Sequence, residues 1–340
     1  MSFRSRLRIR TRLRSVVHRV WPPKPKPLIL MYHRIADEPI DPWGLAVSPA
    51  RFEEHLRVLR RTRHPFPLID FVGGLLAGTL PSNAVALTFD DGYVDNLVSG
   101  KPQLAAADVP ATVFLTTGSI DRSESFWWDE LARLILFGGG PQFFEIVIQN
   151  NLMRFDFGTE AAACEDGSTP VASLKERHAS LWTIWQTLRR LDDDERGLTM
   201  VKLRSIFKDR GYRSGLSRAM TSDEVRALVT DGLVTIGAHT VTHPELSRLG
   251  TAACRREIAE SKLACEALIG SPIVGFSYPY GDFDAEVREL VKTAGFTFAC
   301  SMQRVPVIAK SEIFTLPRLH IPNLDGDAFE RTLRSASAVH

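Results

Sequence analysis

Long hydrophobic runs are absent from this 340-residue sequence. The longest apolar stretches, residues 28–32 and an interrupted stretch at 131–137, are far shorter than the ~20 residues that a membrane-spanning helix needs. Hydrophobic residues make up 44% and charged residues 24% of the chain, which is the balance of a globular protein and excludes a wholly disordered or fibrous one. The sequence therefore predicts a globular protein and excludes an integral membrane protein.

Cysteine is scarce: the chain has only Cys164, Cys254, Cys265 and Cys300, with no CxxC pair. Cys254 and Cys265 fall on one predicted helix, about 16 Å apart at the helical rise. A disulfide needs Cα atoms within ~7 Å, so these two cannot pair within the chain. A sparse, unpaired set is typical of a reducing compartment and predicts a cytoplasmic protein.

Acidic residues are missing from the first 26 positions, which hold nine of the 42 Lys and Arg residues. The other 33 basic residues face 40 acidic ones in the rest of the chain. Residues 1–27 are therefore predicted to form a basic, Pro-rich N-terminal arm. The arm is expected either to be solvated or to contact the anionic inner face of a membrane. Nucleic-acid binding by the whole fold is not expected. A secretory signal is not expected either, because His18 and Arg19 interrupt the apolar residues there.

Apolar strand-like segments alternate with amphipathic helical segments over most of the remaining chain. The predicted strands are residues 28–32, 67–69, 84–89, 111–115, 233–238, 273–278, 296–300 and 314–321. Alternation of this kind predicts parallel pairing through helical crossovers, an α/β fold. Seven or eight such strands favour a (β/α) barrel, in which chemistry is found at the carboxyl ends of the strands.

The alternation of strand-like and helical segments is interrupted between about residues 119 and 220. This part is predicted to be a helix-rich insertion within a catalytic domain that covers residues 28–340. Trp182 and Trp185, which fall on a long helix there, are expected to pack in its core.

Three polar motifs directly follow predicted strands: TFDDG at 88–92, HTVTHP at 239–244 and YPYG at 278–281. Each alone is compatible with an ordinary turn. Together they offer Asp, His and His, a three-ligand set typical of a catalytic metal with open positions. Of two adjacent carboxylates, one can bind the metal and the other can take a proton from water, while the metal polarises a carbonyl. The sequence thus predicts hydrolysis of an amide or ester.

The order and spacing of these motifs resemble the polysaccharide deacetylases of carbohydrate esterase family 4, over residues 28–118 and 221–325. The resemblance implies a distorted, incomplete (β/α) barrel of about seven parallel strands. It implies that Asp90 is the general base and that Asp91, His239 and His243 bind one divalent metal ion, Zn²⁺ with Co²⁺, Ni²⁺ or Mn²⁺ as alternatives. The backbone of Tyr280 would help to hold the oxyanion.

The sequence departs from the family in two places. Many members have an arginine two residues before the proline of the third motif, where Ser277 stands here; Arg318 is the candidate replacement, the alternative being a surface arginine. The catalytic acid of the family is usually a late histidine, to which His320 could correspond. His33, in a Tyr-His pair after the first strand that is similar to one in exopolysaccharide-type relatives, is the favoured candidate, and neither histidine remains an alternative.

Candidate sugar contacts are Trp127, Trp128, Asp129 and Pro279, with core packing as the alternative for the tryptophans. The resulting hypothesis is a metal-dependent enzyme that removes N-acetyl groups from a GlcNAc-containing glycan, such as a chitooligosaccharide, an exopolysaccharide or a cell-wall glycan. Two alternatives stay open at this point: a hydrolase of a non-sugar C–N bond, and a non-catalytic glycan-binding relative.

Overall fold

The computed structural model describes residues 25–38, 41–157, 171–208 and 216–338, so residues 1–24 of the predicted arm and Cys164 lie outside it. The strands are β1 (Leu28–Tyr32), β2 (Arg34–Ile35), β3 (Ala46–Val47), β4 (His64–Pro65), β5 (Ala84–Phe89), β6 (Ala111–Leu115), β7 (Phe143–Ile148), β8 (Asn151–Asp156), β9 (Val234–Ala238), β10 (Gly275–Ser277), β11 (Phe298–Cys300) and β12 (Leu319–His320). The α-helices are α1 (Pro49–Thr62), α2 (Leu68–Ala77), α3 (Lys101–Ala107), α4 (Trp127–Phe137), α5 (Val171–Leu188), α6 (Asp193–Ile206), α7 (Ser222–Val229), α8 (Thr251–Ile269), α9 (Ala285–Thr293) and α10 (Gly326–Ala338).

Seven strands form the main sheet in the order β11-β10-β9-β6-β5-β1-β12, and β4 pairs beside β5. All of these pairs are parallel. The sheet curls into a half-barrel with helices around it, which confirms the predicted incomplete (β/α) barrel. Every residue of β1, β5 and β6 is buried, as expected for parallel strands covered on both faces.

One segment touches both edges of the sheet. The amide of Leu316 donates to Ala299 O at 2.9 Å, and the amide of Ser301 donates to Leu316 O at 2.8 Å, which attaches this segment to β11. A few residues later β12 pairs with β1. The predicted strand over 314–321 is therefore wrong in length: a 3₁₀ turn at Ile313–Thr315 precedes a two-residue strand. The chain then crosses from one edge to the other over residues 317–318. The strand predicted at 67–69 is wrong too, because the apolar residues there begin helix α2.

Polar side chains cap the starts of three barrel helices. Ser48 accepts from the amide of Arg51 before α1, and Asp284 accepts from the amide of Val287 before α9. Thr221 and Glu224 form a reciprocal capping box at α7. These caps fix the points at which loops leave the barrel helices. Within the described residues, none of the helices combines the length and the hydrophobicity needed to cross a bilayer.

The region between β6 and β9 contains α4, α5, α6 and the antiparallel hairpin β7–β8, and we call it the inserted region. It has an apolar core of its own, to which Ile135, Ile146, Leu181 and Leu203 contribute. Trp185 packs partly against this core. The expectation that Trp182 is a core residue is wrong, because 51% of its surface is exposed.

Candidate active site

The three polar motifs meet at the carboxyl ends of neighbouring strands. Asp90 and Asp91 follow β5, His239 follows β9, and the turn containing Tyr280 follows β10. Parallel strands bring their carboxyl ends to one side of the barrel, so residues about 150 positions apart become neighbours. Asp91, His239 and His243 are buried and offer donor atoms that all lie within 4.8 Å of one another. We call these three residues the metal cluster.

The donor atoms of the metal cluster lie close to one another. Asp91 Oδ1 lies 3.4 Å from His243 Nε2 and 3.7 Å from His239 Nε2. His239 Nδ1 lies 2.7 Å from Ser277 O, which can only accept, so Nδ1 carries the proton and Nε2 keeps its lone pair. Asp91 Oδ1 is buried and has no hydrogen-bond partner among the described residues. This arrangement of one carboxylate and two imidazoles fits a divalent ion.

The backbone around the metal cluster is held in an unusual conformation. Asp91, Thr240, His243 and Tyr280 have φ angles of 73°, 66°, 60° and 58°. They make up half of the eight non-glycine residues with positive φ in the described part of the chain. Such residues cost energy and concentrate at functional sites. Gly92 completes the turn after β5 at φ 82°, where a Cβ atom would lie 2.6 Å from the Leu115 side chain.

Arg318 forms a two-pronged ion pair with Asp90 inside the barrel. Its Nη1 and Nη2 atoms lie 2.7 Å from Asp90 Oδ1 and Oδ2, and Nη2 also donates to Ser277 Oγ at 2.7 Å. Both partners are buried. Burial would raise the pKa of Asp90, but the Arg318 guanidinium outweighs it and holds that pKa well below its usual range. Asp90 is therefore ionised at neutral pH. Arg318 stands just before the last strand rather than at its end.

Asp91 and the two histidines respond differently to the same buried surroundings. Burial, and then the negative charge of Asp90, raise the pKa of Asp91 well above its usual value. Burial lowers the pKa of His239 and of His243, so both imidazoles are neutral. Neutral imidazole is the form that binds a metal ion. A cation at the cluster would also relieve the cost of ionising Asp91.

The two candidate acids lie side by side. His33 follows β1 and His320 belongs to β12, and their rings are 5.9 Å apart. Burial lowers the pKa of His33 to about 3, although the charge of Asp90 acts in the opposite sense. Burial also lowers the pKa of His320. The Nδ1 atom of His33 is buried and has no hydrogen-bond partner among the described residues.

The candidate sugar contacts take different positions. Trp128 is buried with its ring 4.8 Å from that of His243, and with half-buried Trp127 it lines a cavity of about 220 Å³ beside the metal cluster. Trp128 Nε1 donates to the Tyr93 hydroxyl at 2.7 Å, and that hydroxyl donates to Asp129 Oδ2 at 2.8 Å. Burial raises the pKa of Asp129 to about 7. The carboxylate of Asp129 thus holds Trp128 through Tyr93.

Pro279 is the buried first residue of the 3₁₀ turn after β10. This turn carries Tyr280, whose ring lies 4.6 Å from that of His243. The hydroxyl of Tyr280 is buried and has no hydrogen-bond partner among the described residues.

Two arginines of the inserted region contact the loop that carries His243, and sequence reasoning missed both. Arg196 donates to Thr242 O at 3.1 Å. Arg189 pairs with Glu245 and lies over the rings of Trp185 and Tyr280. No local pattern marks these residues, because their partners are about 50 positions away in the chain. Ser277, which touches both Asp90 and Arg318, was noticed only as a departure from a family pattern.

A family model described as polysaccharide deacetylase matches residues 77–138 and 199–299. The matched ranges include Asp90, the metal cluster and Tyr280. The interruption falls within the inserted region, which is where the chain departs from the alternating strand and helix pattern.

Solved structures with the same fold include three bacterial proteins, each with a TM-score of 0.57. IcaB from Ammonifex degensii is 16% identical, with coverage of 92% of this chain and 98% of that chain. The deacetylase PplD of Streptococcus pyogenes, solved with acetate, is 16% identical over 91% and 99%. A polysaccharide deacetylase from Bacillus cereus is 17% identical over 91% and 69%. At such identities the likeness concerns the fold. A search of curated protein sequences finds no match.

Proposed function

Because the chain belongs to the polysaccharide deacetylase family, we propose that it is a metal-dependent hydrolase that removes N-acetyl groups from a glycan containing N-acetylglucosamine. One observation carries this proposal: the metal cluster lies beside a second carboxylate, Asp90, which the positive charge of buried Arg318 keeps ionised. Chitooligosaccharide, exopolysaccharide and cell-wall glycan are the substrate classes that the family suggests.

The residues present divide the reaction between them. A divalent ion held by Asp91, His239 and His243, Zn²⁺ in our proposal with Co²⁺, Ni²⁺ or Mn²⁺ as alternatives, would polarise the acetyl carbonyl and acidify a water molecule. Asp90 accepts a proton from the water that attacks the carbonyl carbon. The backbone N–H of Tyr280 stabilises the negative charge on the carbonyl oxygen. The C–N bond then breaks, and the nitrogen takes a proton and leaves as the amine of the sugar, with acetate as the other product.

His33 is the acid that we propose for the leaving amine, and His320 is the alternative. The buried Nδ1 of His33 has no hydrogen-bond partner among the described residues, and the charge of Asp90 opposes the lowering of the His33 pKa by burial. The ring is neutral in the resting site, so it must gain a proton as the reaction proceeds. Proton transfer from Asp90 to His33 would meet that need. Arg318 fixes Asp90 in place and keeps it ionised until it accepts the proton.

The sugar that carries the acetyl group would lie against Trp127, Trp128 and Pro279. Trp128 and Trp127 border the cavity next to His243, and aromatic faces suit the apolar face of a sugar ring. Asp129 supports this surface through Tyr93.

The decisive experiment measures acetate release from chito-oligosaccharides, peptidoglycan fragments, acetyl-xylan and small non-sugar acetamides. The protein is stripped with a chelator, assayed, and assayed again after zinc is added back; His239→Ala is the matched control. We expect zinc to restore turnover on N-acetylated glycans in the wild-type protein and not in the variant. Release from small non-sugar amides alone would favour the other hydrolase. Tight glycan binding without release by zinc-loaded protein would favour a non-catalytic relative.

The basic arm has a separate proposed role, contact with an anionic membrane at the cytoplasmic face. The argument is its charge, nine basic residues without an acidic one. Deletion of residues 1–26 is expected to abolish salt-sensitive binding to anionic liposomes while turnover on soluble substrate stays unchanged. A folded truncated protein that loses turnover would contradict this role.

A further inference from the structure

Aromatic rings continue outward from the metal cluster along the inserted region. The ring of Tyr280 contacts His243, and the ring of Trp185 lies 5.9 Å from that of Tyr280. Trp185 stacks on Trp43 at 5.2 Å and 29°, and on Trp182 at 4.9 Å and 23°. We call Trp43, Trp185 and Trp182 the aromatic platform. Its inner part touches the candidate active site, and its outer ring, Trp182, faces solvent.

The exposed ring of Trp182 is isolated on its helix. The other exposed positions of α5 within 175–188 are mostly polar, and they include Lys175, Glu176, His178 and Thr183. Protein-docking and membrane-docking faces expose larger contiguous apolar surfaces than one ring. A sugar ring needs only one flat aromatic partner, because its C–H face is apolar while hydroxyl groups surround its edge. The surroundings of Trp182 therefore favour a carbohydrate.

The platform is fixed relative to the metal cluster. Trp182 and Trp185 are three residues apart on α5, so the helix sets their spacing. The Arg189 guanidinium lies 4.8 Å from the ring centre of Trp185 and 5.3 Å from that of Tyr280. The same arginine pairs with Glu245, two residues after His243. A ligand that touches the platform is thereby held at a set distance from the reacting group.

We propose that the aromatic platform is a distal subsite for a sugar unit of the same glycan chain whose acetylated unit lies at the metal cluster. This inference rests on the proposed function and narrows its substrate class. The enzyme would act on oligosaccharides or polysaccharides long enough to reach Trp182, and would gain nothing from the platform on short ones. The inserted region would thus select the length of the substrate.

The test compares Trp182→Ala with Phe143→Ala. Phe143 belongs to hairpin strand β7 and is also 51% exposed, so it matches Trp182 in exposure and in aromatic character. KM and kcat for acetate release are measured on chitohexaose and on chitobiose. We expect Trp182→Ala to raise KM for the hexamer about tenfold, the size of one aromatic contact, with little change in kcat and none on the dimer. Trp182→Phe should restore most of the affinity, and Phe143→Ala should behave as wild type.

Binding is measured separately, as quenching of tryptophan fluorescence by chitohexaose in the metal-free proteins. Loss of quenching in Trp182→Ala supports the platform even if no variant releases acetate, which would be a failure of the proposed function alone. The proposal would be overturned if Trp182→Ala and Phe143→Ala gave the same quenching and the same KM. It would also be overturned if Trp182→Ala raised KM equally for the hexamer and the dimer. Liposome binding that depends on Trp182, without glycan binding, would also overturn it.

Discussion

The barrel and the inserted region contribute different chemistry to the candidate site. The barrel supplies carboxylates, imidazoles and one arginine at strand ends, all buried and tied to each other. The inserted region supplies aromatic rings and arginines on helices, some of them exposed. Rigid strand ends suit reacting groups, whose positions must be accurate to fractions of an ångström. Binding a long ligand depends more on the area of the contact surface than on the exact position of each side chain. Changes in the barrel should therefore reduce turnover, and changes in the inserted region should mainly affect binding.

The largest effect is expected for Asp91→Ala. Zinc that binds only the folded protein raises its melting temperature by mass action, and this rise should disappear in the variant together with turnover. The metal-free variant should differ little in stability from metal-free wild type, because the gain from removing a buried carboxylate is opposed by the cost of an alanine at φ 73°. Melting curves with and without zinc, and acetate release, measure both. An undiminished zinc-dependent rise would remove Asp91 from the metal cluster.

Asp90→Asn should separate catalysis from metal binding. General base catalysis contributes ~10²–10⁴-fold, so we expect a kcat loss of that order with a smaller change in KM and a preserved zinc-dependent rise in melting temperature. The variant also leaves Arg318 without its counter-ion, which costs about 3–5 kcal/mol of stability for a buried pair.

Asp95→Asn is the matched control for that cost. Asp95 is a buried carboxylate that pairs with buried Arg34 at 3.0 Å, outside the metal cluster. We expect it to lose stability but to keep kcat, measured at a temperature where both variants are folded. Near-wild-type kcat in metal-loaded Asp90→Asn would exclude Asp90 as the base.

On the side of the inserted region, Arg196→Met should weaken metal binding without removing any ligand. The guanidinium holds the carbonyl of Thr242, the residue before His243, and losing support for a ligand typically costs 10–100-fold in metal affinity. Competition with a zinc chelator measures the affinity. Arg204→Met is the control, since Arg204 lies on the same helix but pairs with Glu130. If both variants bind zinc as tightly as wild type, the inserted region does not position the loop that carries His243.

The smallest effect is expected where the inserted region returns to the barrel. Arg218 pairs with Glu224 at 2.7 Å and, ahead of burial, lowers the pKa of Glu224 to about 2, below its ordinary value of 4.5. A depressed pKa gives stability that is present above pH ~4.5 and is lost as the pH falls toward 2. Glu224→Gln should therefore cost about 1 kcal/mol at pH 7 and almost nothing near pH 2.5. Chemical unfolding at the two pH values tests this; an equal loss at both would assign the effect to the capping box alone.

The strands of the barrel could be predicted from the sequence because each one is marked by a local sequence pattern. Each buried strand is an apolar run closed by a polar residue. Apart from the segments predicted at 67–69 and 314–321, the predicted strand ends differ from the observed ones by no more than two residues. Parallel strands then require the polar ends to converge. Asp90, Asp91 and His239 could be placed near each other for this reason, before any contact was known.

The inserted region was less readable because its contacts are distant in sequence. An apolar residue on a helix is expected inside, yet Trp182 lies outside, and periodicity alone cannot identify such an exception. Arg189 and Arg196 contact the loop that carries His243, and no rule of sequence spacing indicates these contacts. The last strand was overestimated because the apolar residues near 314 form a 3₁₀ turn and not a strand.

The pair between Asp90 and Arg318 joins positions 228 residues apart. During synthesis the ribosome completes Asp90, the metal cluster and Tyr280 before Arg318 exists. Until then the carboxylate lacks its counter-ion, and the segment that connects both sheet edges is missing. Contacts of such long sequence separation also form slowly, because the chain entropy of a large loop must be lost first. The order of the sequence thus makes the pair between Asp90 and Arg318 one of the last contacts of the candidate site to become available during synthesis.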